Sequence, residues 1–142
     1  MSERGWLVAS LVFVLACFAE VVFLGQAFVG MDHAIEFLPT WSFQRASLLA
    51  GELPLWDPRA GAGTPLLGAI YGGALDPVRW AFFPLPCVFG YGLHVVFLHL
   101  VAAAGTFHLA RRVGARPWIA AFAAASLGAG GPFRSLGGFE NV

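Results

Sequence analysis

The side chains that could do chemistry are concentrated in residues 30–87, between two long apolar runs. The segment opens with Asp32 and His33. Glu36 follows one helical turn after Asp32 and could join it as an acidic pair that binds substrate. A carboxylate a few residues beyond the end of a membrane helix lies where lipid headgroups meet water, so it can act on a substrate that is itself held in the bilayer. His33 could bind phosphate or a metal ion. The position of these residues suggests a lipid-linked substrate.

Each of these acidic residues also has a structural interpretation. Asp32 could cap a helix or hydrate the start of a loop, and Glu36 could belong to a solvated helix face. Glu52 and Asp57 are expected to stabilise the turn around Trp56, with ligand binding as the alternative.

The basic residues and histidines give two further candidates. Arg59 and Arg79 could clamp a donor phosphate, because a guanidinium group matches phosphate geometry. The alternative is that both are interfacial anchors with their charged ends in water. The three histidines of the second apolar run are spread around the helix at about 100° per residue, so they do not form a metal site by themselves.

The composition places the chain in a bilayer. Hydrophobic residues make up 58% of the 142 positions and charged residues 11%, well below the charged content of about 25% in soluble domains. The formal net charge is zero, and no run of like charge is present, so nucleic acid is not expected as a partner.

Apolar runs and arginines predict an all-α, multi-span integral membrane protein with two clear spans, a weak third span and a long extracytoplasmic loop that carries interfacial helices. Arg111, Arg112 and Arg116 form a basic loop that should stay cytoplasmic, and Arg4 agrees with this orientation. The amino terminus is therefore expected in the cytoplasm and residues 30–87 outside it, in a bacterial cytoplasmic (inner) membrane. The predicted parts are helix 1 at 6–29, the external loop at 30–87, helix 2 at 88–110, a cytoplasmic loop at 111–116, helix 3 at 117–133 and the start of a second external loop at 134–142. A cleaved signal peptide is the competing interpretation of the first run.

The external loop is expected to be ordered. Pro39 suits the first turn of a helix and Gly51 the position just past its end, which predicts a helix from Pro39 to Ala50. Trp41, Leu48 and Leu49 would share a face of this helix, with the tryptophan at headgroup level. The prolines and glycines that follow exclude a regular helix and favour extended chain with turns.

Short motifs in this loop and beyond it follow a characteristic order. They are Asp32, Phe37-Leu38-Pro39, Gly51-Glu52-Leu53-Pro54-Leu55-Trp56-Asp57-Pro58, Gly61-Ala62-Gly63-Thr64-Pro65-Leu66, Asp76-Pro77, Phe83-Pro84-Leu85, Leu98-His99-Leu100, Arg111-Arg112 and Gly130-Gly131-Pro132-Phe133. This order resembles the first external loop, and the chain after it, of YfhO-like bacterial membrane proteins. The Gly-x-x-Pro-Leu-Trp-x-Pro element is the most specific part of the resemblance.

The resemblance implies a member of the GT-C group of membrane glycosyltransferases, which take sugars from polyprenyl phosphate. In that group the first external loop holds an essential acid, and Asp32 matches its position. Asp32 would be the general base for an acceptor hydroxyl or a ligand for a divalent metal, Mg or Mn. The implied partners are membrane lipid, a polyprenyl-phosphate sugar donor and a cell-envelope acceptor. Members of the family are much longer, so the chain is expected to be an amino-terminal fragment that is inactive alone.

The alternative hypothesis is a non-enzymatic membrane scaffold or assembly protein whose aromatic loop binds a partner. It predicts that changes at Trp41 or Trp56 matter more than a charge-neutral change at Asp32.

Overall fold

The protein is mainly helical, as predicted. The structure, a computed structural model, describes residues 2–26, 33–59, 61–66, 68, 73 and 75–130. Its elements in chain order are α1 (Glu3–Cys17), α2 (Ala19–Leu24), a π-helical turn (His33–Phe37), α3 (Leu38–Leu49), β1 (Trp56–Asp57), β2 (Thr64–Pro65), α4 (Pro77–Trp80), α5 (Cys87–Arg112) and α6 (Pro117–Gly128).

Helices α1, α5 and α6 form a bundle with a core of small side chains. Ala103, Ala120 and Ala124 are completely buried in it, beside Val14. A Cβ atom at Gly128 would lie 2.7 Å from Val14 Cγ2 and 2.9 Å from Ala103 Cβ, so the backbone of α6 approaches its neighbours more closely than any side chain would allow. Small residues that permit such an approach are typical of helix contacts in membranes.

The predicted second span is a single long helix, α5. Its 26 residues extend about 39 Å at 1.5 Å per residue. By length and composition, α5 is the one helix among the described residues that could cross a membrane. It begins directly after Pro86, and its last turn contains Arg111 and Arg112, whose positive charges suit a helix carboxyl terminus.

The first apolar run differs from the prediction of one continuous helix at 6–29. Helix α1 ends at Cys17, Phe18 leaves helical geometry with φ −111° and ψ 20°, and α2 then continues to Leu24. The Phe18 ring is buried against the His99 imidazole of α5, with centroids 4.7 Å apart. The break therefore coincides with an aromatic contact between the two apolar runs. Residues 27–29 lie outside the described residues.

The third apolar run forms a helix of only 12 residues, α6, or about 18 Å. Crossing the hydrocarbon layer takes about 20 residues, so α6 as described is too short to cross it, and the weak third span stays a prediction. Residues 131–142, with the predicted end of this span and the second external loop, lie outside the described residues.

The helix predicted from Pro39 to Ala50 is present as α3. It begins one residue before Pro39 and ends one residue before Ala50. The predicted common face is only partly kept, because Trp41 is 1% exposed whereas Leu49 is 57% exposed. The Trp41 ring lies 4.7 Å from the Phe83 ring and 5.5 Å from the Tyr91 ring, centroid to centroid. These internal partners turn the tryptophan inward, away from solvent and lipid.

A short antiparallel pair follows α3, in the region predicted to be extended chain with turns. Trp56 pairs with Pro65 and Asp57 with Thr64. Gly63 has a φ of 101°, and a Cβ atom there would lie within 2.6 Å of three atoms of the Trp56 indole. Only glycine combines this backbone conformation with room for the ring.

Candidate functional site

The acidic motif is described only from His33 onward. Asp32, on which the catalytic hypothesis depends, lies outside the described residues. His33 is the first residue of the π-helical turn, and Glu36 is exposed on the same turn. The turn continues without a break into α3, since Phe37 has helical geometry with φ −71° and ψ −46°. The chain after Asp32 is therefore part of one helical stretch from 33 to 49.

Arg59 ties the β1–β2 turn to the start of α3. Its Nε and Nη2 donate to the two carboxylate oxygens of Asp57 over 3.1 and 3.2 Å, and Nη2 also donates to the Pro39 carbonyl over 3.1 Å. The guanidinium carbon lies 4.5 Å from the centre of the Phe43 ring. The Arg59 side chain is nevertheless 51% exposed, so a ligand can still reach it.

Asp57 stabilises this turn, as predicted. Its carboxylate also accepts from the Arg59 backbone N–H over 2.9 Å, in addition to the two side-chain bonds. The hydrogen bond from the Arg59 side chain lowers the pKa of Asp57 below its usual value, and this effect outweighs the burial that opposes it. The carboxylate is thus ionised and engaged in the turn.

Arg79 lies deeper, against the opposite part of α3. Asp76 caps the short helix α4 by accepting from the Val78 N–H over 2.9 Å, which sets the position of Arg79 one turn later. Arg79 Nη1 donates to Gln44 Oε1 over 2.9 Å, and its guanidinium carbon lies 5.4 Å from the Trp41 ring centre. Burial lowers the pKa of Arg79, with the charge of Asp76 opposing the shift. Arg79 is therefore a partly buried cation that braces α3.

Arg45 is a third anchor, which sequence reasoning missed. Its Nε donates to the carbonyl oxygens of Phe83 and Leu85 over 2.7 and 3.0 Å. Those residues form the turns that lead into α5, so this side chain fixes the entry of the long helix relative to α3. All three arginines of the segment from 33 to 86 thus bond to α3 or project from it.

The buried histidines belong to the packing between α5 and its neighbours. His94 is 4% exposed, and its Nε2 lies 3.8 Å from Asp76 Oδ2, beyond hydrogen-bond distance. His99 Nδ1 lies 2.8 Å from the Val95 carbonyl, so this nitrogen carries the proton. His108 is exposed. Within the described ranges, no group of three or more His, Cys, Asp or Glu side chains could hold a metal ion, and the metal expected at Asp32 stays a prediction.

An apolar cavity of about 270 Å³ lies beside α3. It is lined by Leu48, Leu49, Trp80, Phe83 and Pro84. No charged side chain lines it, so it suits a hydrocarbon chain better than a phosphate group.

The chain matches no protein-family model, no curated protein and no solved structure. The resemblance to YfhO-like proteins therefore stays a prediction that rests on the order of the motifs.

The contacts of Gln44, Arg45, Asp76 and His94 were not predicted from the sequence, although Asp76 belongs to the Asp76-Pro77 motif and His94 was considered as a metal ligand. Two of them carried a local signal. Asp76 precedes Pro77, the usual arrangement at a helix start, and Gln44 is one helical turn beyond Trp41, so both lie on one face. Arg45 and His94 had no such signal, because their partners are distant in the sequence.

Proposed function

We propose that this chain is the amino-terminal part of a multi-span glycosyltransferase of the bacterial cytoplasmic membrane. It would move a sugar from a polyprenyl-phosphate donor to an acceptor in the cell envelope. The reaction class comes from the family resemblance. The observation that carries the proposal is the ordered docking of the segment after Asp32 on the amino-terminal half of α5. Trp41 contacts α5 itself, and Arg45 bonds to the Leu85 carbonyl in the turn that leads into α5.

This docking supports the proposal because a catalytic acid needs a fixed depth. Trp41 of α3 contacts the Tyr91 and His94 rings of α5, the helix suited to cross a bilayer. A helical stretch that starts at His33 and is anchored eight residues later holds the chain at one level along α5. Asp32 itself lies outside the described residues, and the resemblance assigns the essential acid to this position, directly before the anchored stretch in the sequence.

The exposure of the two candidate arginines favours Arg59 as the phosphate ligand. Arg59 bonds to Pro39, near the turn that carries Glu36, and half of its side chain is open to solvent. Arg79 is largely enclosed between Gln44 and Trp41. We assign Arg59 to the donor phosphate and Arg79 to positioning α3. The apolar cavity beside α3 would accommodate part of the polyprenyl chain.

In the proposed reaction, Asp32 accepts the proton of an acceptor hydroxyl while that oxygen attacks the anomeric carbon of the sugar. The bond from this carbon to the phosphate oxygen breaks, and the polyprenyl phosphate leaves with the electron pair. The phosphate is a good leaving group, so no strong general acid is required. No step here depends on a metal ion.

The test is Asp32→Asn in the full-length protein, assayed for transfer of sugar from a polyprenyl-phosphate donor. We expect transfer to be abolished while the amount of protein in the membrane is unchanged. Glu52→Gln is the matched control, because Glu52 is exposed in the same segment and its change removes the same charge. Transfer retained in Asp32→Asn would remove Asp32 from the mechanism.

A second function, a membrane scaffold, is favoured by exposed apolar side chains around the β1–β2 pair. Leu53, Leu55 and Trp56 are 58, 46 and 53% exposed, and such a patch can bind a protein partner. This function predicts that Trp56→Ala impairs activity in cells more than Asp32→Asn does. The opposite order would favour the enzyme.

A further inference from the structure

Four arginines meet at the end of the bundle that lies opposite the external segment. Arg4 is in the first turn of α1, Arg111 and Arg112 are in the last turn of α5, and Arg116 directly precedes α6. The Glu3 carboxylate accepts from Arg111 Nε and Nη2 over 3.0 and 3.1 Å, which brings the start of α1 to the end of α5. We call this surface, formed by Arg4, Arg111, Arg112 and Arg116, the arginine end.

Only one of these four charges is neutralised within the described residues. Arg111 is paired with Glu3 in a bidentate arrangement and also donates to the Ala115 carbonyl. Arg4, Arg112 and Arg116 are exposed, and none of them forms an ion pair with a described residue. The fold thus brings Arg4 to the basic loop that contains Arg112 and Arg116, which gives an excess of three positive charges.

The border of the arginine end is apolar. Trp118 is 52% exposed two residues after Arg116, and Val113 is 77% exposed one residue after Arg112. Leu109, one helical turn earlier on α5, is 65% exposed. Tryptophan beside arginine is typical of the level at which lipid headgroups meet hydrocarbon. The positive charges could also attract a nucleic acid, but the exposed apolar side chains beside them would then have no role in binding.

We propose that Arg4, Arg112 and Arg116 form a binding surface for the phosphate groups of anionic phospholipids. The arginine end would then fix the depth of the bundle in the leaflet it faces, with Trp118 and Val113 at the upper edge of the hydrocarbon. This surface lies at the far end of α5 from the proposed catalytic segment and is independent of sugar transfer.

The test uses the full chain in neutral detergent and compares the binding of phosphatidylglycerol and phosphatidylcholine by native mass spectrometry. We expect a preference for phosphatidylglycerol that weakens as salt is raised. In the triple variant R4Q/R112Q/R116Q, the preference for phosphatidylglycerol should fall by a factor of at least about ten. One basic residue near an anionic surface strengthens binding by a factor of about five. R4K/R112K/R116K is the matched control and should keep most of it.

Three results would overturn the proposal. One is an unchanged preference for phosphatidylglycerol in the glutamine variant. A second is a lysine variant that loses as much of the preference as the glutamine variant although its circular dichroism melting curve matches that of the parent protein. Displacement of the lipid by a short DNA duplex at equal concentration would also contradict the assignment to lipid.

Discussion

The bundle of α1, α5 and α6 and the segment from 33 to 86 are stabilised in different ways. In the bundle, Ala103, Ala124 and Gly128 let the backbones approach closely. In the segment, the contacts are the large ring of Trp41 and the bonds from Arg45 to backbone carbonyls. This difference is the one that the proposed membrane location predicts. Helices in lipid associate through close packing rather than through the hydrophobic effect, whereas a segment in contact with water gains from burying an aromatic ring.

The same contrast applies to arginine. In the segment from 33 to 86, the arginines donate to described partners, such as Phe83 for Arg45 and Gln44 for Arg79. At the arginine end, Arg111 is paired with Glu3, whereas Arg112 and Arg116 are exposed without such partners. Most guanidinium groups of the segment therefore hold the fold together, although Arg59 is also half exposed, and most of those at the arginine end are available for a ligand.

The contrast in packing between the bundle and the segment from 33 to 86 is tested most strongly at Trp41. Trp41→Ala removes a ring that is 1% exposed, and truncation of a buried tryptophan costs about 3–5 kcal/mol. We expect the segment to detach from α5 while the bundle keeps its helices. Hydrogen exchange measured by mass spectrometry should show faster exchange in α3 and nearly unchanged exchange in the middle of α5.

Trp56→Ala is the control, since 53% of that residue is exposed. We expect its effect on α3 exchange to be small. Equal effects of the two substitutions would show that Trp41 does not anchor the segment, and faster exchange throughout α5 would show that the two regions unfold together.

The helices themselves could be predicted from the sequence because their signals are local. Pro39 and Gly51 bracket α3, and the structure places its ends within one residue of the prediction. The break at Phe18 could not be predicted in this way, because no proline or glycine marks it and its partner, His99, lies 81 residues further along the chain.

The candidate site was less predictable for the same reason. Arg45 bonds to residues 38 and 40 positions away, and Arg79 to a residue 35 positions away. Composition predicts that these residues are cations at a membrane face, but only the fold shows which of them are already engaged. Asp57 was predicted correctly, because its partner, Arg59, is two residues away.

The packing of the bundle is tested at Gly128. In Gly128→Ala the new methyl group would lie 2.7 Å from Val14 Cγ2 and 2.9 Å from Ala103 Cβ, and overpacking of this kind costs about 1–3 kcal/mol. We expect a lower melting temperature in detergent by circular dichroism.

Gly105→Ala makes the same chemical change in α5 at a position with no atom within 4 Å of the new Cβ. It should be neutral or stabilise by up to about 1 kcal/mol, because alanine favours a helix over glycine. We therefore expect Gly128→Ala to lower the stability of the protein and Gly105→Ala to leave it unchanged or raise it. A Gly128→Ala protein as stable as the parent would mean that α6 is free to shift away from α1, and that small residues are not what sets this contact.

The smallest expected effect concerns pH at the β1–β2 turn. The pKa of Asp57 is lower in the folded protein than its usual value, chiefly because Arg59 donates to the carboxylate. The stabilisation is therefore complete above about pH 4, the pKa of an unfolded aspartate, and is lost as the pH falls through the folded pKa. Since half of Arg59 is exposed, we expect a loss of about 1 kcal/mol or less. Carbon-13 NMR of the Asp57 carboxyl group should give a low titration midpoint that rises in Arg59→Gln. A midpoint unchanged by Arg59→Gln would show that this arginine is not held by Asp57, and the contrast between engaged and available arginines would then fail at the site proposed for the donor phosphate.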